Sequence, residues 1–429
     1  MKLDSKRTVL VGLAFLSICA FWQVYDGIVP LILKNTFHVG DTLSGAIMAL
    51  DNVLALVLLP VFGSLSDRTH TRLGRRMPYI LGGTAAACVF MLWIPLADRL
   101  YNLPLFFMGL GLVLLSMATY RSPAVALMPD VTPKPLRSKG NAIINLMGAV
   151  GGIVMLLAIK LLVPKTDHPN YIPLFALTAL LMAACAVVLA VRVREPELVK
   201  KMEAESRTLA PEAPEETAPA APGEKLPRPV FRSLCFILAS VFFWFMGYNA
   251  VTTSFSKYAN LTWGMEGGDY AMVLMIAQAA AILTYIPVGI IASRVGRKKT
   301  ILAGVVMLAV SFGAAMFLKS FEGIIFFFFA LAGVAWAFIN VNSYPMVVEM
   351  SQGADVGKYT GYYYTFSMTA QILTPVLSGA LMEHIGYHTL FPYAAICVAI
   401  SFVTMLFVRH GDSRPQPAKS KLEAFDLDD

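Results

Sequence analysis

The chain has 429 residues, of which 57% are hydrophobic and only 14% are charged. A soluble chain carries about a quarter charged residues, and one soluble domain cannot bury this much apolar side chain. The composition therefore excludes an ordinary soluble enzyme, a disordered protein and a disulfide-rich secreted module, and it indicates a membrane protein. The five cysteines lie in apolar stretches without paired spacing, which is typical of small core residues rather than of disulfides or metal ligands.

Twelve apolar stretches follow one another along the chain, and each is long enough to cross a bilayer core about 30 Å thick as a helix. They lie at 9–33, 43–66, 79–97, 103–129, 141–163, 172–193, 231–256, 271–293, 300–318, 323–348, 357–382 and 389–408. The runs are continuously apolar rather than alternating, which favours helices over a barrel. We therefore predict an all-α integral membrane protein with twelve transmembrane helices.

The positions of the basic residues predict the orientation. If the N-terminus is cytoplasmic, 27 of the 34 Lys and Arg residues fall on the cytoplasmic side and six fall on the other side. This bias favours a cell-membrane protein with both termini in the cytoplasm. The net charge of +7 then reflects topology, and nucleic-acid binding has no further support.

A segment of different composition separates the sixth and seventh stretches. Residues 194–229 contain eight glutamates and seven prolines, a composition that cannot bury enough apolar surface to fold. We predict a disordered cytoplasmic linker there. It divides the chain into two six-helix bundles, 1–193 and 230–410, which are followed by a cytoplasmic tail at 411–429.

The two halves resemble each other at a nearly constant offset. Trp22 and Trp244 are 222 residues apart, and the loop GSLSDRTHTRLGRR that starts at Gly63 has a counterpart, GIIASRVGRKK, that starts at Gly289. Such matches indicate an internal duplication. Two similar bundles around a site near the midplane are the arrangement of an alternating-access carrier.

The loop after the second stretch carries a block rich in glycine and arginine. Its members are Gly63, Asp67, Arg68, Arg72, Gly74, Arg75 and Arg76. The block resembles the loop between the second and third helices of major facilitator transporters, whose usual pattern is Gly-x-x-x-Asp-Arg-x-Gly-Arg-Arg. Extra residues separate Asp67-Arg68 from Arg72 here. This lengthened form is similar to that of the sucrose transporters and the glycoside–pentoside–hexuronide cation symporters.

A second block lies at the end of the fourth stretch. Its members are Pro123, Leu127, Pro129 and Thr132, followed by Arg137. The block resembles the corresponding segment of the same symporters. The resemblance implies the major facilitator fold, with two pseudo-symmetric six-helix bundles, and a secondary transporter of sugars.

The first block also has a physical interpretation of its own. An aspartate beside arginines at a helix end accepts charge-assisted hydrogen bonds and interacts with helix dipoles. We predict that Asp67 and the arginines hold the cytoplasmic helix ends together and separate when the carrier opens inward. The alternative is that the arginines only follow the positive-inside rule. Asp130 and Glu349 occupy related positions, where we expect ion pairs with Arg137 or Lys358.

Two aspartates lie inside apolar stretches. An ionised side chain there costs about 2.5–3.5 kcal/mol on insertion scales, so such residues are functional candidates. Asp26 and Asp51 lie at similar depths in the first and second stretches. Two carboxylates that approach each other in a low dielectric share protons readily, so we predict that the pair couples proton movement to substrate binding. The alternative is that Asp51 only bonds neighbouring helices.

Arg121 is the one basic residue in the interior of a predicted helix. A buried arginine needs a carboxylate, a carbonyl or a ligand for its five donors, so it binds substrate or pairs with an intramembrane aspartate. An acid that helps to bind sugar in the related symporters aligns with this arginine. The sodium-using members also have an Asp pair before the proline of the second helix, where this chain has Ala55 and Leu59 before Pro60. This departure favours a proton over sodium.

Sugars are recognised by aromatic rings that pack on C–H surfaces and by amides that bond hydroxyl groups. The candidates for substrate binding are Trp22, Tyr25, Arg121, Trp244, Tyr248, Asn249, Gln278, Trp336, Asn340 and Gln371. The alternative for any single aromatic residue is packing at an interface or in the core.

We therefore predict a secondary active transporter, not an enzyme, that imports a disaccharide or glycoside by symport with a cation through alternating access. Its partners are then the sugar, a coupling cation and the lipid bilayer, and we expect a functional monomer without cofactor or metal. The first rival is a proton-coupled antiporter that exports drugs or metabolites, which predicts a wide and mainly apolar cavity. A membrane-embedded enzyme or receptor is a more distant rival, because the sequence shows no convergent catalytic set.

Overall fold

The computed structural model describes residues 4–133, 137–166, 168–209, 227–351 and 356–412, and every regular element in these ranges is a helix. The helices are α1 (Ser5–Asn35), α2 (Asp41–Asp67), α3 (Met77–Met91), α4 (Trp93–Arg99), α5 (Leu103–Asp130), α6 (Arg137–Leu162), α7 (Ile172–Arg192), α8 (Glu195–Leu209), α9 (Arg228–Trp263), α10 (Tyr270–Val295), α11 (Arg297–Ala315), α12 (Ile324–Val348), α13 (Val356–His384) and α14 (Leu390–Leu406). Two 3-10 helices cover Glu349–Ser351 and Tyr387–Thr389.

Eleven segments of the described chain are long and apolar enough to cross a bilayer. One of them, Met77–Arg99, consists of α3 and α4, which join at Leu92. The remaining predicted stretch, 357–382, coincides with α13, whose 29 residues reach about 43 Å. The structure therefore confirms the all-helical membrane fold expected from the sequence.

The outer surface of the helices is apolar where a soluble protein would be polar. Leu283 is 77% exposed, Leu161 71% and Leu180 67%. Large apolar surface of this kind marks a contact with membrane or protein. Successive long helices with apolar side chains on their outer surface are suited to contact with the lipids of a bilayer.

The helices pack as two bundles, here called the N-half (α1 to α7) and the C-half (α9 to α14). In the N-half, α1 packs against α6 and α7, and α3 packs against α5 and α7. In the C-half, α9 packs against α13 and α14, and α11 packs against α12 and α14. The repeated arrangement agrees with the duplication inferred from the sequence.

The two halves meet through α2 with α13, α6 with α10, and α1 with α9. Glycines bring the first of these pairs into backbone contact. A Cβ on Gly45 would lie 1.9 Å from the carbonyl oxygen of Pro375, and one on Gly379 would lie 2.3 Å from that of Asp41. Small residues at membrane helix interfaces allow this close approach.

The ends of the molecule differ in charge. Residues 68–76, 294–299 and 409 lie at one end, here called the basic end. Residues 36–40, 264–269 and 385–389 lie at the other, here called the opposite end. The basic end is the one that the sequence assigns to the cytoplasm.

Part of the predicted linker is helical. The sequence predicts a disordered segment over 194–229, whereas Glu195–Leu209 forms α8. The reason is local, because after Pro196 the chain carries good helix formers and no proline until Pro211. Residues 210–226 lie outside the described part of the chain.

Candidate functional site

A cavity of about 360 Å³ lies between the two halves. The N-half contributes α1 and α6 to its wall, and the C-half contributes α9, α10, α11 and α12. Since both halves supply lining residues, a movement of one half against the other changes the shape of the cavity. This position is the one expected for the substrate site of an alternating-access carrier.

Polar and aromatic groups face each other across this cavity. Gln23 and Asp26 line it from α1. On the other side, the rings of Tyr248 and Trp336 stack at 3.7 Å between centroids and 10° between planes, and both line the cavity. Gln278 also lines it, and its Nε2 donates to the carbonyl oxygen of Ala149 across the halves at 3.4 Å.

The second aspartate lies behind the cavity wall. Asp51 lines a small recess that also contains Trp22 and Arg121. The guanidinium of Arg121 lies over the Trp22 ring at 5.7 Å from its centroid, which is within range of a cation–π interaction. The charge of Asp51 interacts with those of Asp26 and Arg121. The three ionisable side chains therefore form one electrostatic group that reaches the cavity at Asp26.

Several predicted substrate-binding residues do not line the cavity. Tyr25 and Trp244 are only 1% and 0% exposed and pack in helix interfaces. Asn249, Asn340 and Gln371 are absent from the lining residues, and so are Trp22 and Arg121, which occupy the recess. Helical periodicity alone does not tell which face of a membrane helix meets the partner half, because every face of such a helix is apolar.

Three polar residues of the cavity were not predicted from the sequence. Gln23, Thr252 and Tyr285 line the cavity. A signal existed for Gln23, because it precedes Asp26 by three positions and residues three apart share a helix face. Its polar amide within an apolar stretch is the same kind of exception that identified Asp26.

Arg76 is the centre of a network at the basic end. Its Nε donates to Asp130 at 2.8 Å, and its guanidinium also contacts Asp67 and Ser66. Arg75 forms a further ion pair with Asp130 at 2.7 Å. Arg76 is only 5% exposed. The network ties the ends of α2 and α5 to the start of α3, so the contacts described here act within the N-half.

The other members of the glycine and arginine block have different positions. The carbonyl oxygen of Gly63 accepts a long hydrogen bond of 3.4 Å from Arg76. Arg68 and Arg72 are exposed, and neither forms an ion pair with another described residue. Their positions fit the positive-inside rule, which was the alternative interpretation for this block.

Glu195 completes the network and was not predicted as a site residue. Its carboxylate accepts hydrogen bonds from the backbone N–H groups of Arg75, Arg76 and Met77 at 2.9 to 3.1 Å, and it is 1% exposed. A carboxylate at a helix N-terminus satisfies free N–H groups and complements the helix dipole. Gly74 has a φ of +112°, and a Cβ there would lie 2.3 Å from Glu195. The fit of the cap thus requires glycine.

The C-half carries a simpler counterpart of this network. Glu349 pairs with Arg297, and Asp412 accepts a hydrogen bond of 2.9 Å from the backbone N–H of Lys298 at the start of α11. The partners expected from the sequence, Arg137 and Lys358, have side chains outside the described part of the structure. In each half, therefore, a carboxylate from beyond the last helix caps the third membrane segment.

A buried cluster joins the halves at the opposite end. Asp41 accepts hydrogen bonds from Lys257 at 3.0 Å, from Tyr387 at 2.5 Å and from Lys34 at 3.1 Å. Asp41 and Lys257 are 1% and 3% exposed. Since Asp41 begins α2 and Lys257 belongs to α9, the ion pair crosses between the halves. We call these four residues the Asp41 clamp.

A more exposed cluster lies near it. Asp269 pairs with Lys160 and, at 2.7 Å, with Lys165. Partial burial opposes ionisation of Asp269, but the hydrogen bonds from the two lysines hold the pKa of its carboxyl below the usual value. The same hydrogen bond raises the pKa of Lys165. These contacts also cross between the halves, and we call the three residues the Asp269 clamp.

Comparison with known proteins identifies the family. The model of the Major Facilitator Superfamily matches residues 11–282 and 258–427. An uncharacterised symporter of Synechocystis sp. is 28% identical over 150 residues, which are 32% of this chain and 27% of that protein. The match thus spans about a quarter of the length of this relative.

Solved structures share the fold at low sequence identity. A POT family transporter in complex with 5-aminolevulinic acid has a TM-score of 0.70 at 11% identity, over 93% of this chain and 95% of that one. The nucleoside transporter NupG has a TM-score of 0.70 at 13% identity, over 95% and 100%. A bacterial homologue of the iron transporter ferroportin in an inward-facing state has 0.69 at 12%, over 95% and 99%. The family match and the shared fold show that the chain belongs to the major facilitator superfamily and is a multi-pass membrane transporter.

Proposed function

We propose that the protein imports a sugar, either a disaccharide or a glycoside, by symport with a proton. The observation that carries this proposal is that Asp26 lines the same cavity as the stacked rings of Tyr248 and Trp336. A carboxylate from the N-half and an aromatic face from the C-half can therefore contact one ligand. The affinity for such a ligand then depends both on the protonation of Asp26 and on the separation of the halves.

The cavity has the chemistry that a sugar needs. Its volume of about 360 Å³ falls within the usual range of small-molecule sites. The aromatic pair offers a flat apolar face for C–H groups, and the amides of Gln23 and Gln278 can donate to and accept from hydroxyl groups. The Gln278 amide holds only a long hydrogen bond to Ala149, so a ligand can replace that bond.

The acid pair supplies a mechanism for coupling. Arg121 lies in the same recess as Asp51, so its positive charge can offset the negative charge of that carboxylate. A second ionised carboxylate at Asp26 remains costly in an apolar cavity. A proton on Asp26 removes this cost, and the neutral side chain can also donate a hydrogen bond to a sugar hydroxyl. Loading of proton and sugar together then allows the cavity to close and reorient.

The contacts between the halves support transport by alternating access. The Asp41 clamp and the Asp269 clamp both join the halves at the opposite end. With the basic end in the cytoplasm of a cell-membrane protein, these clamps close the external side. The related protein of Synechocystis sp. is described as a symporter, which agrees with this proposal for the part of the chain that it matches.

Export by proton antiport is the second candidate, and one observation favours it. Apolar side chains, among them Leu274, Phe312 and Phe329, supply much of the remaining cavity wall. An apolar or amphipathic compound would bury these surfaces better than a sugar does. The two candidates use Asp26 in the same way and differ in the direction of accumulation.

Transport in proteoliposomes tests the proposal. Purified protein in vesicles with an acidic exterior is expected to accumulate a radiolabelled disaccharide or glycoside from a broad panel, and a protonophore is expected to abolish accumulation. An imposed sodium gradient without a pH gradient is expected to have no effect. If no member of the panel causes proton movement, or if accumulation follows the opposite direction of the pH gradient, sugar–proton symport is wrong.

Replacing Asp26 isolates the coupling step. Asp26→Asn is expected to lose accumulation driven by the pH gradient but to retain exchange of labelled for unlabelled sugar, because the neutral amide resembles the protonated acid. The control is Glu322→Gln, which removes an exposed acid that does not line the cavity and is expected to leave both assays unchanged. If gradient-driven uptake survives in Asp26→Asn, the role assigned to Asp26 is wrong.

A further inference from the structure

A second cavity lies at the basic end of the C-half, remote from the substrate cavity. It has a volume of about 410 Å³ and lies between the start of α9 and the residues that follow α14. Arg228 and Arg232 line it from α9, and Arg409 and His410 line it from the other side. None of its lining residues belongs to the ion pairs of Arg76 or Arg297, and the transport mechanism proposed above makes no use of it.

Within the described part of the chain, the arginines of this cavity lack the acidic partners that Arg76 and Arg297 have. Arg76 and Arg297 are paired with carboxylates. Within the described ranges, Arg228, Arg232 and Arg409 form no ion pair, and no Asp or Glu lines the cavity. Asp412, the acid closest to Arg409 along the chain, accepts its hydrogen bond from Lys298 instead. Three guanidinium groups around one cavity repel one another, so an anion with several oxygens would be stabilised there.

The walls of the cavity are held in place by contacts within the C-half. Ser233, which is 2% exposed, accepts a hydrogen bond of 3.1 Å from the backbone N–H of Arg409 and pairs with His410 Nδ1 at 2.8 Å. The ring of Phe236 lies 5.7 Å beneath the guanidinium of Arg232. These contacts fasten the chain after α14 to the first turns of α9, so the basic groups converge without a ligand.

The cavity borders the apolar surface of the molecule. Phe407 lines it and is 53% exposed, and its ring stacks on Phe236 at 5.2 Å. Phe231 and Leu406, on the two helices that flank the cavity, are 56% and 48% exposed. These positions are the ends of membrane-spanning helices, where acyl chains give way to headgroups. An anion with attached acyl chains can therefore place its charged group in the cavity and its acyl chains against these exposed apolar side chains.

We propose that this cavity binds the phosphate-bearing headgroup of an acidic phospholipid from the leaflet at the basic end. The phosphate lies among the three guanidinium groups, and the acyl chains lie along Phe231, Leu406 and Phe407. Basic pockets between membrane helices on the cytoplasmic side are suited to such headgroups. Because the bound lipid contacts both α9 and α14, it stabilises the packing of the first and last helices of the C-half.

Thermal unfolding of the full chain in a neutral detergent tests this proposal. Dioctanoyl phosphatidylglycerol is expected to raise the unfolding midpoint by about 2 °C or more at saturation. Dioctanoyl phosphatidylcholine, inorganic phosphate and glycerophosphoglycerol, the headgroup without acyl chains, are expected to have little effect. A shift of equal size with phosphate or glycerophosphoglycerol would show a site for soluble anions and overturn the proposal.

A pair of double variants separates the cavity from general charge at this face. Arg232→Gln with Arg409→Gln is expected to lose the shift caused by phosphatidylglycerol. Arg192→Gln with Arg294→Gln removes the same charge from exposed positions at the basic end and is expected to retain it. Equal loss of the shift in both double variants would show that general surface charge causes it. The absence of any shift in the unmodified protein would also overturn the proposal.

Native mass spectrometry of the unmodified protein provides a readout that does not depend on the folding of a variant. After exchange into a mixture of phosphatidylglycerol and phosphatidylcholine, the protein is expected to retain phosphatidylglycerol preferentially. Equal retention of the two lipids would contradict the proposal.

Discussion

The ring of Trp336 is the largest aromatic ring that the C-half contributes to the lining of the central cavity, and it stacks on the ring of Tyr248, which lines the cavity as well. Trp336→Ala removes the flat apolar face on which the C–H groups of a sugar would pack. Under the sugar proposal, the KM for uptake is expected to rise about tenfold, since about 1.4 kcal/mol of lost binding corresponds to that factor.

Trp336→Phe is the control for this prediction. It keeps an aromatic face at the same position and is expected to change the KM much less than Trp336→Ala. Initial uptake rates, measured over a range of substrate concentrations, give the KM of each variant for this comparison. Equal changes in the two variants would contradict the role of an aromatic stacking face at this position.

Gly74 presents a conformational requirement at the scale of one residue. Its φ of +112° disfavours any side chain, and a Cβ would meet the carboxylate of Glu195. Gly74→Ala is expected to lower the free energy of unfolding by about 1–3 kcal/mol. Gly82→Ala is the matched control, because Gly82 is helical and a Cβ there would meet nothing within 4 Å.

The control substitution is expected to be neutral or to stabilise the protein by up to about 1 kcal/mol, since alanine is the better helix former. Thermal unfolding in detergent compares the two variants directly. If Gly74→Ala behaves like Gly82→Ala, the strain assigned to residue 74 is absent.

The site residues differ in whether a local sequence pattern is enough to identify them. Asp26 and Gln278 could be assigned to the cavity because a polar side chain in an apolar stretch is unusual on its own. Trp244 could not be excluded from the cavity by the same reasoning, since a tryptophan satisfies a core and a binding site equally well. Its complete burial follows from the packing of α9 against α13 and α14, which no spacing within the stretch reveals.

At the scale of elements, the N-terminus of α3 depends on a carboxylate from α8. Glu195→Gln removes the charge that faces three backbone N–H groups. Loss of a cap and of its charge at a helix N-terminus is expected to lower the free energy of unfolding by about 1 kcal/mol. Hydrogen exchange of the amides at residues 75–77 is expected to accelerate in parallel.

Glu197→Gln is the control, because Glu197 belongs to the same helix but is exposed, and it pairs with nearby Arg194. It is expected to leave the exchange of residues 75–77 unchanged. Equal acceleration in the two variants would attribute the effect to α8 as a whole rather than to the cap.

The helices themselves were largely predictable because an apolar run of bilayer length has few other structures open to it. The predicted stretches 103–129 and 323–348 differ from Leu103–Asp130 and Ile324–Val348 by one residue at an end. The prediction stops α9 at 256, whereas the helix continues to Trp263. Lys257 ends the apolar run, and its charge is tolerated inside the fold because Asp41 of the other half lies beside it.

At the scale of the whole molecule, the Asp41 clamp holds the halves together at the opposite end. Asp41→Asn leaves Lys257 buried without its carboxylate, a change that costs about 3–5 kcal/mol in comparable buried pairs. We expect the population to shift toward conformations open at this end. The shift is measured as faster labelling of Thr252→Cys, a cavity position, in a background without other cysteines.

The Asp269 clamp provides the comparison. Its residues are more exposed than the central pair of the Asp41 clamp, Asp41 and Lys257, so Asp269→Asn is expected to shift the same equilibrium by only about 0.2–1 kcal/mol. A larger effect of Asp269→Asn than of Asp41→Asn would reverse the assignment of the main clamp. Removing both partners, Asp41→Ala with Lys257→Ala, is expected to restore part of the closed population, since no charge is left buried.

The pH dependence of the Asp269 clamp has a definite sign. Because the pKa of Asp269 is held below its ordinary value, the clamp is fully formed above about pH 4 and weakens as the pH falls through the lowered pKa. Between about pH 5 and pH 8 it contributes a constant amount. Any change of transport over that range is expected to persist in Asp269→Asn, and its disappearance there would contradict this assignment.

The two caps contributed by Glu195 and Asp412 also bear on how the protein is made. Arg76 precedes Glu195 by 119 residues, and Lys298 precedes Asp412 by 114. During synthesis the first turns of α3 and α11 therefore emerge long before the carboxylates that cap them. Each half receives this contact only after its sixth span has left the ribosome. The N-half reaches that point before α9 begins, so it can finish folding as a unit before the C-half enters the membrane.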